Sequence, residues 1–160
     1  MPSWYDIRSL DKTEGNEDEE GIRKSVSYVS SLIDQEISNG IPANRIILGG
    51  FSQGAALSIY TGLTSSVLLG GLVILSGYLP IRKTIQWDSI KKPPILQCHG
   101  DADEMVHYAI GLGTSKHIEK AGIPDFTFKT YKNMGHSSSE QEMKDVANFL
   151  NKCLPTISSM

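Results

Sequence analysis

The chain has 160 residues, 39% hydrophobic and 21% charged, with a formal charge of -3. Those proportions suit one soluble globular domain with a sizeable core, and the weak negative charge argues against nucleic acid or an anionic membrane as partner. The longest apolar run, Val67 to Leu75, is too short for a transmembrane segment, and the chain opens without the basic and apolar pattern of a signal peptide. Cys98 and Cys153 match neither a metal spacing nor a disulfide framework, so the cytoplasm is the expected location.

Met1 to Leu10 is aromatic and irregular, and reads as the continuation of something upstream. Asp11 to Glu20 is rich in acids, which favour the positive end of a helix, so a solvated helix start is expected there. Ile22, Val26, Val29, Ile33 and Ile37 follow at three- and four-residue steps and predict one buried helical face, stopped by Gly40 and Pro42. An apolar strand is predicted over Arg45 to Leu48. It runs into Gly50-Phe51-Ser52-Gln53-Gly54, the G-x-S-x-G pattern of a serine on a sharp strand-to-helix turn. The bland reading is a glycine-rich turn with a capping serine. What favours the sharper one is the strand before it and the amphipathic helix predicted after it, Ser52 to about Leu63.

Further strands are predicted at Gly71 to Leu75, Pro94 to Cys98 and Phe126 to Tyr131, with an irregular excursion over Ile81 to Lys92. Helices are predicted at about Ala109 to Ala121, and after a capping signature at Ser137-Ser138-Ser139-Glu140. Strands alternating with helices predict a parallel sheet covered on both faces, an α/β fold, as a single domain over 1–160. Reactive groups in such sheets gather at the carboxyl ends of strands. Three predicted strand ends carry Ser52, then Asp101 and Asp103, then His136. A serine hydroxyl needs a base, and an imidazole needs an acid behind it to fix its tautomer. Spacing leaves Asp101 and Asp103 open as that acid. A metal site from His99, Asp101, Asp103 and His107 lacks a further His/Cys cluster, so neither metal nor cofactor is expected. His117 reads as a surface helical residue and Cys98 as a small core side chain.

The segments Gly49 to Ser58, Leu96 to Asp103, Gly135-His136-Ser137, Pro2 to Asp6 and Asn39 to Leu48 resemble the acyl-protein thioesterase family, cytosolic α/β-hydrolases also described as lysophospholipases or carboxylesterases. The resemblance implies Ser52 as nucleophile, Asp103 as acid, His136 as base, and the Gln53 amide as an oxyanion donor. It implies Trp4, Leu79 and Met105 near an acyl channel. S-acylated proteins are the implied substrates, with lysophospholipid or carboxylic esters secondary. The chain departs from the family at Glu104 and His107, where prolines are usual, which makes the channel edge more polar. It also begins near the middle of the fold, as the C-terminal two-thirds. The upstream strands and the loop giving the second oxyanion amide are not in this sequence, which leaves the Arg45 to Leu48 strand as an unpaired edge. The competing expectation is a weak or inactive form that binds acylated protein or lipid, or pairs with another hydrolase chain. A homodimer is kept as one assembly.

Overall fold

The computed structural model describes residues 3–7 and 17–157. Pro2 and positions 11–16 of the acid-rich stretch lie outside them. Helix α1, Glu19–Ser38, starts where the acids end: the Asp18 carboxylate accepts from the Gly21 amide at 3.1 Å, and Glu19 and Glu20 occupy the first turn. Both contacts satisfy or complement amides that a helix leaves bare. Ile22, Ser25, Val29 and Ile33 form its buried stripe, and Gly40, at φ 97°, ends the run in a conformation that suits glycine.

After a single 3₁₀ turn at Ala43–Arg45, strand β1 spans Ile47–Phe51, shifted from the predicted Arg45 to Leu48. It passes straight through both glycines because the parallel ladder to β2 (Gly71–Leu75), from Ile47 beside Gly71 to Phe51 beside Leu75, uses backbone groups alone. Helix α2, Gln53–Thr64, is not the amphipathic helix expected. Ala55 to Leu63 are all buried, because the sheet lies under one side and α1 covers the other.

The excursion over 81–92 contains two 3₁₀ turns, Arg82–Thr84 and Trp87–Ser89, pinned by buried Ile81 and Ile85. Strand β3 spans Ile95–Gly100, two residues beyond the predicted end, followed by α3 (Tyr108–Lys120) and β4 (Phe126–Tyr131). Helix α4, Glu140–Cys153, is capped two residues later than expected: Ser139, not Ser137, accepts from the Glu142 amide at 3.1 Å.

The four strands are all parallel, in the order β1-β2-β3-β4. Successive side chains go to opposite faces. Leu72, Ile74 and Ile95 pack with α1, α2 and α3, whereas Val73, Leu96 and Cys98 pack with Phe149 of α4. Every residue of β3 is buried between two neighbours and two helical layers, while β1 sits at an edge with Phe51 42% exposed. Among the described residues, no helix is long and apolar enough to cross a membrane.

Candidate active site

The elbow is built around one strained residue. Ser52 has φ 55° and ψ -119°, a left-handed conformation that costs an L-residue about 1–3 kcal/mol. Its amide donates to the Leu75 carbonyl at 2.9 Å and so continues the β1–β2 ladder, while its own carbonyl accepts from the Ala56 amide at 3.0 Å and so begins α2. One residue thus changes strand into helix. The space explains one glycine of the pattern and not the other. A Cβ on Gly50 would lie 2.3 Å from the carbonyl carbon of Gly54, whereas one on Gly54 would meet nothing within 4 Å.

The other two groups arrive from β3 and β4. His136, on the loop after β4, sits between the serine and an acid: Nε2 is 2.9 Å from Ser52 Oγ, and Nδ1 is 2.8 Å from Asp103 Oδ2. In the tautomer that serves both contacts, Nδ1–H donates to the carboxylate and the serine hydroxyl donates to Nε2. Asp103 is fully enclosed, and its Oδ1 accepts from the amides of Met105 and Val106 at 2.9 Å each. The two open aspartates have separate places. Asp101 is exposed, and its Oδ1 accepts from the Asn133 amide at 2.6 Å, bracing the loop that carries His136. The Phe51 ring lies 4.7 Å from the imidazole and covers it from the β1 side.

Gln53 is the first residue of α2, so its amide is among those with no acceptor inside the helix. Its side chain has a role the sequence did not reveal. Nε2 donates to the Tyr5 carbonyl at 2.7 Å and Oε1 accepts from the Trp4 amide at 3.0 Å, strapping residues 3–7 beside the elbow. Ser25 Oγ also donates to the Trp4 carbonyl, and the Tyr5 hydroxyl meets that of Tyr78 at 2.7 Å. No sequence spacing links positions so far apart.

Trp4 and Met105 are not among the residues that line the cleft holding Leu79. Leu79 lines a cleft of about 320 Å³ with Tyr78, Ile81, Ile110 and Thr114, and Ser52, Asp103 and His136 do not border it. Trp4 is 45% exposed beside Tyr28, and Met105 is 62% exposed next to Asp103. His117, expected on the surface, is instead half-buried in that cleft, hydrogen-bonded to Arg82. Among the described residues, no group of three or more His, Cys, Asp or Glu side chains is placed to hold a metal. Cys98 is buried, and burial pushes its thiol up to about 12.

A parallel sheet between helical layers, with a strained serine at one strand exit facing a histidine held by a buried carboxylate, has the architecture of an α/β-hydrolase. Residues 1–154 match the family described as Phospholipase/Carboxylesterase, and the chain belongs to that family of hydrolases. It is 40% identical to acyl-protein thioesterase 1 of Aspergillus fumigatus, over 97% of this chain and 69% of that protein. It is 42% identical to acyl-protein thioesterase 1 homolog 1 of Dictyostelium discoideum, over 97% of this chain and 69% of that protein. The crystal structure of Arabidopsis thaliana SOBER1 superposes with a TM-score of 0.86 at 32% identity, covering 95% of this chain and 74% of that one.

Proposed function

We propose that this chain, as a single domain over 1–160, hydrolyses acyl thioesters on S-acylated proteins in the cytoplasm, with lysophospholipid or carboxylic esters as secondary substrates. The observation that carries the reading is the imidazole of His136, within hydrogen-bond distance of Ser52 and Asp103 at once. Ser52 Oγ attacks the thioester carbonyl carbon while His136 Nε2 takes the hydroxyl proton, and Asp103 stabilises the imidazolium. The Gln53 amide, at the positive end of α2, receives the developing oxyanion. The tetrahedral intermediate collapses, the C–S bond breaks, and His136 returns the proton to the departing thiolate. Water then attacks the acyl-serine with His136 as base, releasing the fatty acid and regenerating Ser52.

Relatives named as acyl-protein thioesterases favour the thioester as substrate. The exposed aromatic surface of Trp4 and Tyr28 beside the elbow suits an apolar acyl chain better than a polar one. A fluorophosphonate probe and a long-chain acyl thioester test the reading together. Covalent labelling and turnover are expected from this chain, and neither from Ser52→Ala. Turnover that survives Ser52→Ala would overturn it. The position of β1 at the edge of the sheet among the described residues favours one second reading, binding without turnover and pairing with a hydrolase chain or a second copy. That reading predicts acyl-ligand binding with an unlabelled Ser52.

A further inference from the structure

The proposed mechanism leaves one buried imidazole unused. His99, on β3, is fully enclosed. The strand's alternation turns it toward α3 together with Gln97, whose Nε2 donates to the Gly111 carbonyl at 2.8 Å. Its Nε2–H donates to the Val106 carbonyl at 2.8 Å and lies 3.4 Å from Asp103 Oδ2. That oxygen is the one that meets His136 Nδ1. Val106 is therefore held at both ends, its amide by Asp103 and its carbonyl by His99. The other ring nitrogen, Nδ1, has no hydrogen-bond partner among the described residues. A Cβ on Gly111 would lie 2.3 Å from it, so α3 clamps the ring through a position that only glycine fits.

We infer that His99 is a positioning residue for the Asp103–His136 pair: its Nε2–H braces the Asp103 to Val106 turn and faces the carboxylate oxygen that receives His136. A core-filling role alone does not account for the arrangement. An apolar side chain of similar size would fill the space without stranding Nδ1 in the interior, where an unpartnered acceptor is costly. The titratable groups set against the ring are Asp103 from its own loop, Tyr108 at the start of α3, and His136 from the loop after β4. Burial pushes the proton affinity of His99 down, which keeps the ring neutral and its single proton on the nitrogen that serves Val106.

The inference rests on the proposed triad, and it predicts a pH effect. With Nε2–H removed, the Asp103 carboxylate loses the positive end of an N–H dipole 3.4 Å from its Oδ2. It then holds the His136 imidazolium more strongly, and the acid limb of Ser52 reactivity moves to higher pH. The test is the rate of fluorophosphonate labelling from pH 5 to 9, with thermal melts alongside, for the unaltered chain, His99→Leu and His99→Gln. Glutamine can put an amide nitrogen where Nε2 lies, and leucine cannot. His99→Leu is expected to label about threefold more slowly on the acid limb, as a half-unit displacement requires, and His99→Gln to restore the original profile. If the leucine variant does not fold, His99→Asn replaces it, since asparagine reaches only the Nδ1 position, and the same displacement is expected. Coincident profiles for donor and non-donor variants, or a glutamine variant no better than leucine, would overturn the inference. Ser52→Ala run in parallel separates the two ideas. If it still labels, the triad reading fails; if it is silent while the His99 profiles coincide, only the role of His99 fails.

Discussion

The two sides of this site are held in opposite ways. On the β1 side, Ser52 sits at the end of an edge strand, in a strained backbone, with Phe51 half in solvent. On the β3–β4 side, Asp103 and His99 are sealed between strands and helix, and hydrogen bonds from Met105, Val106, His136 and His99 converge on one loop. Ser52 is positioned by where the backbone is forced to turn. Asp103 and His136 are positioned by a network of side-chain and amide contacts. The turn is broken by added volume at Gly50, whereas the network is broken by the loss of a donor or acceptor.

The sharpest way to break this contrast is Asp103→Asn against Asp101→Asn. On the enclosed side, Asp103→Asn is expected to lower turnover by about 10⁴-fold, because the amide favours the wrong histidine tautomer. Asp101→Asn keeps an acceptor for the Asn133 amide and is expected to cost less than tenfold, by looser placement of the His136 loop. Steady-state kinetics on the two variants decide it, and equal losses would mean that the distinction between the aspartates is false.

On the elbow side, Gly50→Ala is expected to destabilise the fold by about 3 kcal/mol or more, since its Cβ would meet the backbone of Gly54 and no rotamer can relieve that. Gly54→Ala, which meets nothing, is expected to leave the melting temperature nearly unchanged. Denaturant melts that ranked the two glycines equally would show that the turn is held by something other than backbone crowding.

The smallest effect belongs to a carboxyl on the β4–α4 side. Glu142 is fully buried in α4, and neither of its carboxylate oxygens has a hydrogen-bond partner among the described residues. Burial pushes its proton affinity up, only partly countered by the backbone of Ser139. A folded value above the unfolded one means that its contribution is most favourable below about pH 4 and is lost as pH rises. Glu142→Gln is therefore expected to raise the melting temperature at pH 7 to 8, with the gain shrinking toward pH 4. A gain that grew on acidification would contradict this assignment of charge.

The comparison also shows how much could be read from the chain. The parallel α/β layering was legible because strand-length runs alternate with helical stretches, the excursion over 81–92 excepted. The elbow was legible because the backbone turn imposes its residue types locally. Less legible were the ends of β1 and β3, which extend further than their apolar residues because ladder hydrogen bonds ignore side-chain type. The full burial of α2 was also missed, since it depends on α1 lying over its outer side.

The sequence by itself determined the layered fold and the serine turn, because periodicity and glycine sterics act within a few residues. Only the tertiary structure decided which aspartate faces His136, that Gln53 grips Trp4 and Tyr5, and that His99 stands behind Asp103. The contacts of His136 and Gln53 join separate strand ends and loops. Their geometry depends on strand register and helix placement, which no local pattern of residues encodes.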